Sequence, residues 1–180
     1  LHLTDVDIGF FNPDMRLVPP LRQGADRDAL RRALADGTID ALVSDHDPVA
    51  DDMKQLPFGE AEPGATGLEL LLSLALRWGA DSALPLPATL ARVTLHPVQV
   101  LGEAIGSLAS SAGRLVEGGV ADVCVFDPAA EWSVAPERLL SQGKHTPFSF
   151  ASTGMALPGR VRATLVAGTI AYEAPADAAS

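Results

Sequence analysis

Residues 36–48 read DGTIDALVSDHDP, which is a glycine-containing turn, a short apolar run and then a polar loop. The preceding segment, 26–35, carries apolar residues at helical spacing and predicts a helix that ends at the glycine. We expect a strand over 39–44, so that helix, glycine and strand follow one another as in an α/β unit. The polar residues 44–48 then follow the carboxyl end of that strand, which is where α/β proteins place catalytic groups.

Asp45 is the candidate catalytic residue of this loop. A carboxylate at a strand end can ligate a metal ion or act as a general base. Asp-x-Pro sequences also cap helices and turns, so a purely structural role is the alternative. Of the other polar candidates, His2 lies near a predicted strand end, whereas His145 and the pair at 51–52 are interpreted as solvated loop residues.

Composition excludes several classes of protein. The 180 residues include 13 basic and 23 acidic side chains, for a net charge of −10, which repels nucleic acid and anionic membrane surfaces. The single cysteine, Cys124, excludes an internal disulfide framework and a cysteine-rich zinc module. No apolar run reaches the ~18 residues of a transmembrane helix, so we expect a soluble, cytoplasmic chain. Because the first residue is not Met, a fragment or processed product is expected.

The chain divides into two predicted regions. Residues 1–103 are an α/β segment, with further helices expected over 67–78, 87–93 and 96–101. Residues 104–180 are β-rich, with turns between short apolar runs and a frayed, alanine-rich end. The predicted β-runs are 113–115, 121–127, 132–134, 160–166 and 169–172.

Several motifs along the chain carry a family resemblance. They are residues 36–48, Pro19-Pro20-Leu21-Arg22, Gly64 to Leu70, Gly113-Arg114-Leu115 with Asp122 and Asp127, Thr146-Pro147-Phe148, and Gly159-Arg160-Val161. In this order the set resembles the dihydroorotases, which are cyclic amide hydrolases of the amidohydrolase superfamily. The resemblance covers nearly the whole chain, to about residue 173.

The resemblance implies an α/β fold. Such enzymes are distorted (β/α)8 TIM barrels with a small β-sandwich built from both ends of the chain. Residues 1–103 would supply the C-terminal part of the barrel, about strands 6–8. Residues 104–180 would supply the β-sandwich segment, and strands 1–5 have no counterpart here.

The resemblance also implies a metal centre. Family members hold two metal ions, usually zinc, which activate water and polarise the ring amide. Asp45 matches the strand-8 metal ligand and general base, which carries a proton to the leaving nitrogen. His2 matches the second histidine of a His-His-Leu phrase, assigned to the strand-6 ligand. The binuclear site is therefore expected to be incomplete in this chain.

The expected substrate loops depart from the family pattern. Val18 stands where the family has Asn, and Val49 stands where it has a His that helps to bind the substrate carboxylate. The turn from Gly64 to Gly67 can present N–H groups to an anion, although a tight turn needs the same glycines. The substrate-loop candidates are Val18, Pro19, Arg22, Val49, Gly64 and Gly67.

Two classes of function remain open at this point. The first is a metal-dependent hydrolase of pyrimidine biosynthesis that interconverts dihydroorotate and N-carbamoyl-aspartate, with a hydantoinase or allantoinase as a variant. The second is a non-catalytic dihydroorotase-like subunit that scaffolds aspartate transcarbamoylase. The candidate partners are the small-molecule substrate, a second copy of the chain, or aspartate transcarbamoylase. The 180-residue chain alone is expected to be inactive.

Overall fold

The computed structural model describes residues 1–149, 151 and 154–175. Its α-helices are α1 (Gly24–Asp36), α2 (Asp51–Lys54), α3 (Leu71–Asp81), α4 (Leu86–Ala91) and α5 (Leu95–Leu101). Short 3-10 helices lie at Asp5–Ile8, Pro13–Met15, Leu68–Leu70, Gly102–Ser110 and Pro136–Arg138. The strands are β1 (Val123–Ser133), β2 (Ala156–Val166) and β3 (Thr169–Glu173). Among the described helices, none has the length and apolar character needed to cross a bilayer.

The predicted helices are confirmed with small changes in their ends. The helix expected over 26–35 lies within α1, which ends at the left-handed Gly37 (φ 88°). The helix expected over 67–78 begins as the 3-10 turn Leu68–Leu70 and continues as α3. Helices α4 and α5 match the two remaining predictions, and the helical part then extends through Gly102–Ser110, across the expected regional boundary at 103/104.

The strand predicted over 39–44 is not formed. A strand needs a neighbouring strand to bond its backbone groups, and none pairs with this segment within the described ranges. The side chain and backbone of Arg92 contact it instead. Leu42 donates its N–H to Arg92 O (2.9 Å), and Arg92 Nη1 donates to the carbonyls of Ile39 and Asp40 (3.3 Å each). No residue of 39–44 is fully buried and Val43 is 71% exposed, so the apolar run indicated neither burial nor a pairing partner.

The later part of the chain forms an antiparallel sheet, as predicted. The strand order is β1-β2-β3, with Val123 opposite Leu165 and Ser133 opposite Ala156. β2 and β3 form a hairpin through Ala167-Gly168, whose φ values of 49° and 79° are those of a type I′ turn. The expected strand at 113–115 is absent, and the turn at 167–168 is confirmed.

Helix α3 joins the two parts of the structure. Ser73 Oγ donates to Gly159 O on β2 (3.3 Å) and accepts from Trp132 Nε1 on β1 (3.0 Å). Beside this contact, a Cβ atom at Gly159 would overlap Leu76 Cδ1, so only glycine lets the strand pass so close to the helix. The core below is formed by Leu70, Val134, Leu139 and Leu157, with Leu74, Trp132 and Phe148 packed against it. Full burial of side chains of this size stabilises the fold by roughly 1.5–3 kcal/mol each.

A carboxylate fixes the loop after β1 to the start of α3. Glu69 Oε2 accepts the N–H of Leu140 and Oε1 accepts the N–H of Ser141, each at 2.7 Å. Burial alone would raise the pKa of Glu69, but these hydrogen bonds and the charge of Lys144 outweigh it, so the pKa is lowered. The ionised carboxylate is therefore the form that holds the loop.

Replacing Gly79 by Ala tests the packing of α3 on α4. A Cβ at Gly79 would collide with Thr89, which is 2% exposed and cannot swing into solvent. We expect Gly79→Ala to lower the unfolding free energy by about 1–3 kcal/mol, although Gly→Ala in an open helix usually stabilises it. Urea unfolding of the chain measures the change. Gly24→Ala in α1 is the control, because no atom lies within 4 Å of its Cβ position. Equal stability of the two variants would contradict this packing.

Replacing Glu69 by Gln tests the loop attachment through its pH dependence. At pH 7 we expect Glu69→Gln to lower the unfolding free energy by about 1–2 kcal/mol, since the partly exposed carboxylate loses two charge-assisted hydrogen bonds. Because the folded-state pKa is lowered, this contribution is present above the ordinary value of 4.5 and lost as pH falls below it. Wild type and variant should therefore converge in acid. The control is Glu103→Gln, at an exposed carboxylate, and a constant difference at all pH values would refute the role of the charge.

Candidate functional site

Asp45 occupies a tight turn with an exposed carboxylate. Its φ of 47° is in the left-handed region, which a residue with a side chain seldom adopts. Such a conformation costs on the order of 1 kcal/mol and persists where the surroundings enforce it. Over the described ranges, no hydrogen bond or ion pair engages the carboxylate. It is thus held in place by its backbone and is free to bind a group from outside.

The neighbouring His46 holds the start of the helical segment. Its Nδ1 accepts the N–H groups of Gly67 (3.1 Å) and Leu68 (3.2 Å). These are unpaired donors at the start of a helix, and an Nδ1 that accepts them carries no proton. His46 is therefore a capping residue, while Asp45 beside it makes no cap.

Two glycines let the next loop lie against the Asp45 turn. A Cβ at Gly67 would lie 2.5 Å from Ser44 O, and one at Gly64 (φ +134°) would lie 2.6 Å from Asp47 O. Gly64 donates its N–H to Arg16 O (3.1 Å), and that of Gly67 goes to His46. Both donors are engaged inside the protein, which favours the tight-turn interpretation over presentation of these groups to an anion.

The other substrate-loop candidates lie in two separate regions, one buried beside Gly64 and one on the surface. Val49 is 4% exposed and packs beside Gly64, with its Cγ2 2.8 Å from the Cβ position of that glycine. Val18 is 72% exposed, Pro19 is exposed, and Arg22 pairs with Asp26 of α1 (3.6 Å). The structure therefore brings Val49 and Gly64 together, and it directs the Arg22 charge to a surface ion pair.

His2 lies in an apolar setting with an unused nitrogen. Its ring packs edge-on against Phe148, with centroids 5.9 Å apart, and its buried Nε2 has no partner in the described part of the chain. Burial, followed by the charges of the N-terminus and Arg31, lowers the pKa of His2 to about 4. The imidazole is neutral near pH 7, which is the form that binds metals.

The donors of His2 and Asp45 are of the kinds that zinc accepts, namely an imidazole nitrogen and a carboxylate oxygen. Each is unpaired, so each fits a metal ligand individually. Over residues 1–149, 151 and 154–175, however, no three His, Cys, Asp or Glu side chains converge on a common point. The described chain presents no complete zinc site, and the joint role of these two residues stays a prediction.

A bridge between distant segments lies beside this loop and was not predicted from the sequence. His145 Nδ1 is 2.8 Å from Asp14 Oδ1, and its Nε2 is 3.2 Å from Asp51 Oδ1. Lys54 is 3% exposed and donates from Nζ to the carbonyls of Pro13 (3.1 Å) and Arg16 (3.2 Å). Burial lowers the pKa of this amine. His145 lies in a loop and the Asp51 side chain is 69% exposed, as expected. The bridge between them and the burial of Lys54 were not predicted, because no local pattern reveals contacts between segments so far apart.

Comparison with known proteins gives the following similarities. The chain is 42% identical over 173 residues to a dihydroorotase-like protein of Pseudomonas aeruginosa, which covers 96% of this chain and 38% of the relative. It is 40% identical over 175 residues to a dihydroorotase of Anaeromyxobacter dehalogenans, with 96% and 38% covered. The chain thus spans about 38% of the length of the curated relatives that it matches. No protein-family profile matches it.

Solved structures give a consistent result. The L-hydantoinase (dihydropyrimidinase) of Arthrobacter aurescens superposes with a TM-score of 0.82 at 28% identity, over 96% of this chain and 37% of that one. A D-hydantoinase of Thermus sp. has a TM-score of 0.74 at 21% identity, over 89% and 34%, and supports the fold alone. Across nearly its whole length, the chain is therefore a relative of the dihydroorotases and dihydroorotase-like proteins of the amidohydrolase superfamily.

Proposed function

We propose that this chain forms part of a metal-dependent, dihydroorotase-like cyclic amide hydrolase that interconverts dihydroorotate and N-carbamoyl-aspartate. The observation that carries the proposal is the 40% identity to a dihydroorotase over 96% of the chain. The fold shared with a hydantoinase, at a TM-score of 0.82, supports the same class of ring-opening reaction. Hydantoin and allantoin are the other ring substrates that this class includes.

Asp45 is the proposed proton carrier. Its carboxylate is exposed and unpaired within the described residues, so it can accept a proton at one oxygen and pass it to the leaving nitrogen of a ring amide. Zinc, when bound, polarises the amide carbonyl and makes water acidic enough to attack at neutral pH. Asp45 and His2 are the residues of this chain proposed to hold metal, together with ligands from outside the described residues.

The surroundings of Asp45 suit a preorganised group. Directly after Asp45, His46 is fixed through Gly67, and Asp47 donates its N–H to Ala65 O (3.0 Å). The two residues that follow Asp45 are therefore both bonded to the 64–67 turn, and Ser44 before it lies in close contact with Gly67. A catalytic carboxylate that is held this way needs little reorganisation during the reaction.

One observation favours a second candidate, a non-catalytic dihydroorotase-like subunit that scaffolds aspartate transcarbamoylase. Val49 is buried, and Val18 presents an apolar side chain that is 72% exposed. The family resemblance places a polar residue at both positions. Loss of such contacts to an anionic ring costs on the order of 1–3 kcal/mol. In this candidate, aspartate transcarbamoylase or a second copy of the chain is the partner.

Asp45→Asn in the complete protein tests the proposed reaction. Asn is nearly isosteric, but it is a poor metal ligand and cannot take up the proton, so turnover of dihydroorotate should fall by roughly 10²–10⁴. Asp40→Asn is the control, since it neutralises an exposed carboxylate five residues earlier. The assay follows carbamoyl-aspartate formation, with and without a chelator. Unchanged turnover in Asp45→Asn would refute the catalytic role, and a complete protein without turnover that binds aspartate transcarbamoylase would support the scaffold.

The isolated 180-residue chain should hold no two-metal centre and should not hydrolyse dihydroorotate. His2 and Asp45 offer two ligands, whereas a catalytic zinc ion usually has about three from the protein. Metal analysis after dialysis, together with the hydrolysis assay, checks this expectation. Two tightly bound zinc ions per chain, or turnover that a chelator abolishes, would contradict it.

A further inference from the structure

The imidazole of His145 connects its own loop with the 3-10 helix Pro13–Met15 and with α2. His145 Nδ1 lies 2.8 Å from Asp14 Oδ1, and its Nε2 lies 3.2 Å from Asp51 Oδ1. The first contact has the length of a hydrogen bond, and the second lies within ion-pair distance. The bridge thus places one ring between two carboxylates, in a chain with a net charge of −10.

The two arms of the bridge differ in strength. The side chains of His145 and Asp14 are 24% and 21% exposed, while that of Asp51 is 69% exposed. Solvent screens the Asp51 arm, because exposed ion pairs contribute little. The Asp14 arm is shorter and better shielded, so it should carry most of the interaction.

The backbone of the same loop holds the turn beside Asp45. His145 O accepts the N–H of Thr66 (2.8 Å), and Gly143 O accepts the Thr66 hydroxyl (2.6 Å). Thr66 is 1% exposed and lies between Gly64 and Gly67, the glycines that pack against Asp47 and Ser44. The loop of His145 therefore reaches the Asp45 turn through buried hydrogen bonds.

The Asp14 arm leads to the substrate-loop candidates. Asp14 belongs to the 3-10 helix Pro13–Met15, which ends two residues before the largely exposed 18–22 segment. Lys54 of α2 fixes the same stretch from the other side through its bonds to Pro13 O and Arg16 O. Asp51, the second arm, is the first residue of α2. The two carboxylates of the bridge thus lie on the 3-10 helix that precedes this segment and on α2, whose Lys54 is bonded to Pro13 and Arg16.

We propose that His145 is a positioning residue for substrate binding. By bridging Asp14 and Asp51, it holds the 13–16 stretch, whose Arg16 O accepts the N–H of Gly64 beside the Asp45 turn (3.1 Å). It thereby fixes where the following 18–22 segment begins, and so how tightly the ring substrate is held. His145 acts through these carboxylates and takes no part in proton transfer to the substrate. The substrate part of this inference rests on the proposed function, whereas the coupling of the loops does not.

Hydrogen exchange on the chain itself tests the coupling. In His145→Gln, which removes the ring and with it one arm of the bridge, the amides of Arg16 and Thr66 should exchange roughly tenfold faster, while the α3 amides keep their wild-type rates. Asp52→Asn is the matched control, because its carboxylate accepts the N–H of Met53, a bond that Asn can keep. Unchanged exchange in His145→Gln would overturn the proposal. Faster exchange throughout α3 would also overturn it, since the bridge would then act on global stability.

Steady-state kinetics of the complete protein test the effect on the substrate. His145→Gln and the milder Asp14→Asn should each raise KM for dihydroorotate by roughly tenfold with kcat within about twofold, and Asp52→Asn should change neither. A smaller rise for Asp51→Asn would support the unequal arms. A fall in kcat at constant KM would overturn the positioning role. Absence of hydrolysis in the wild type would refute the proposed function instead, and hydrogen exchange alone would then decide the coupling.

Discussion

The close approach of the helical segment 68–81 to the Asp45 turn is the constraint on which the rest of the structure depends. Gly67 lies so near Ser44 that no side chain fits, and His46 accepts the two N–H groups at the start of the segment. The contact serves both partners. The N–H groups at the start of the helical segment need acceptors, and the hydrogen bonds to His46 in turn hold the Asp45 turn in place. The same helix then holds the loop at 140–141 through Glu69 and the sheet through Ser73. The β-region and the Asp45 turn are thus attached to one rigid element.

Much of the fold could be predicted because it follows local patterns. Apolar residues at helical spacing locate α1 and α3, and the Ala167-Gly168 turn locates the hairpin between β2 and β3. The segment 39–44 shows where this reasoning ends. Its apolar run is what a buried strand would show, but strand formation depends on partners elsewhere, and Arg92 supplies the bonds to this segment instead.

The sequence predicts where the candidate site lies in the chain, but not which residues contact one another there. Asp45 follows an apolar run, and this order alone marks it as a candidate. The capping role of His46 and the bridge made by His145 depend on residues 21 and 131 positions away, which no local pattern reports. The glycines at 64 and 67 were visible, but the tight-turn and anion-binding interpretations require the same residues. The choice between them depends on where the N–H groups point.

The carboxylates of this region differ in whether they have a partner. In an acidic chain, Asp14 and Asp51 share the imidazole of His145, and Glu69 accepts two backbone N–H groups. Asp45 has neither kind of partner among the described residues, although its left-handed backbone costs free energy to maintain. A capping aspartate would offset this cost with an internal hydrogen bond, and none is formed. The arrangement is consistent with a carboxylate whose compensating interaction is a cation that the described residues alone do not hold, as the proposed metal-dependent reaction requires.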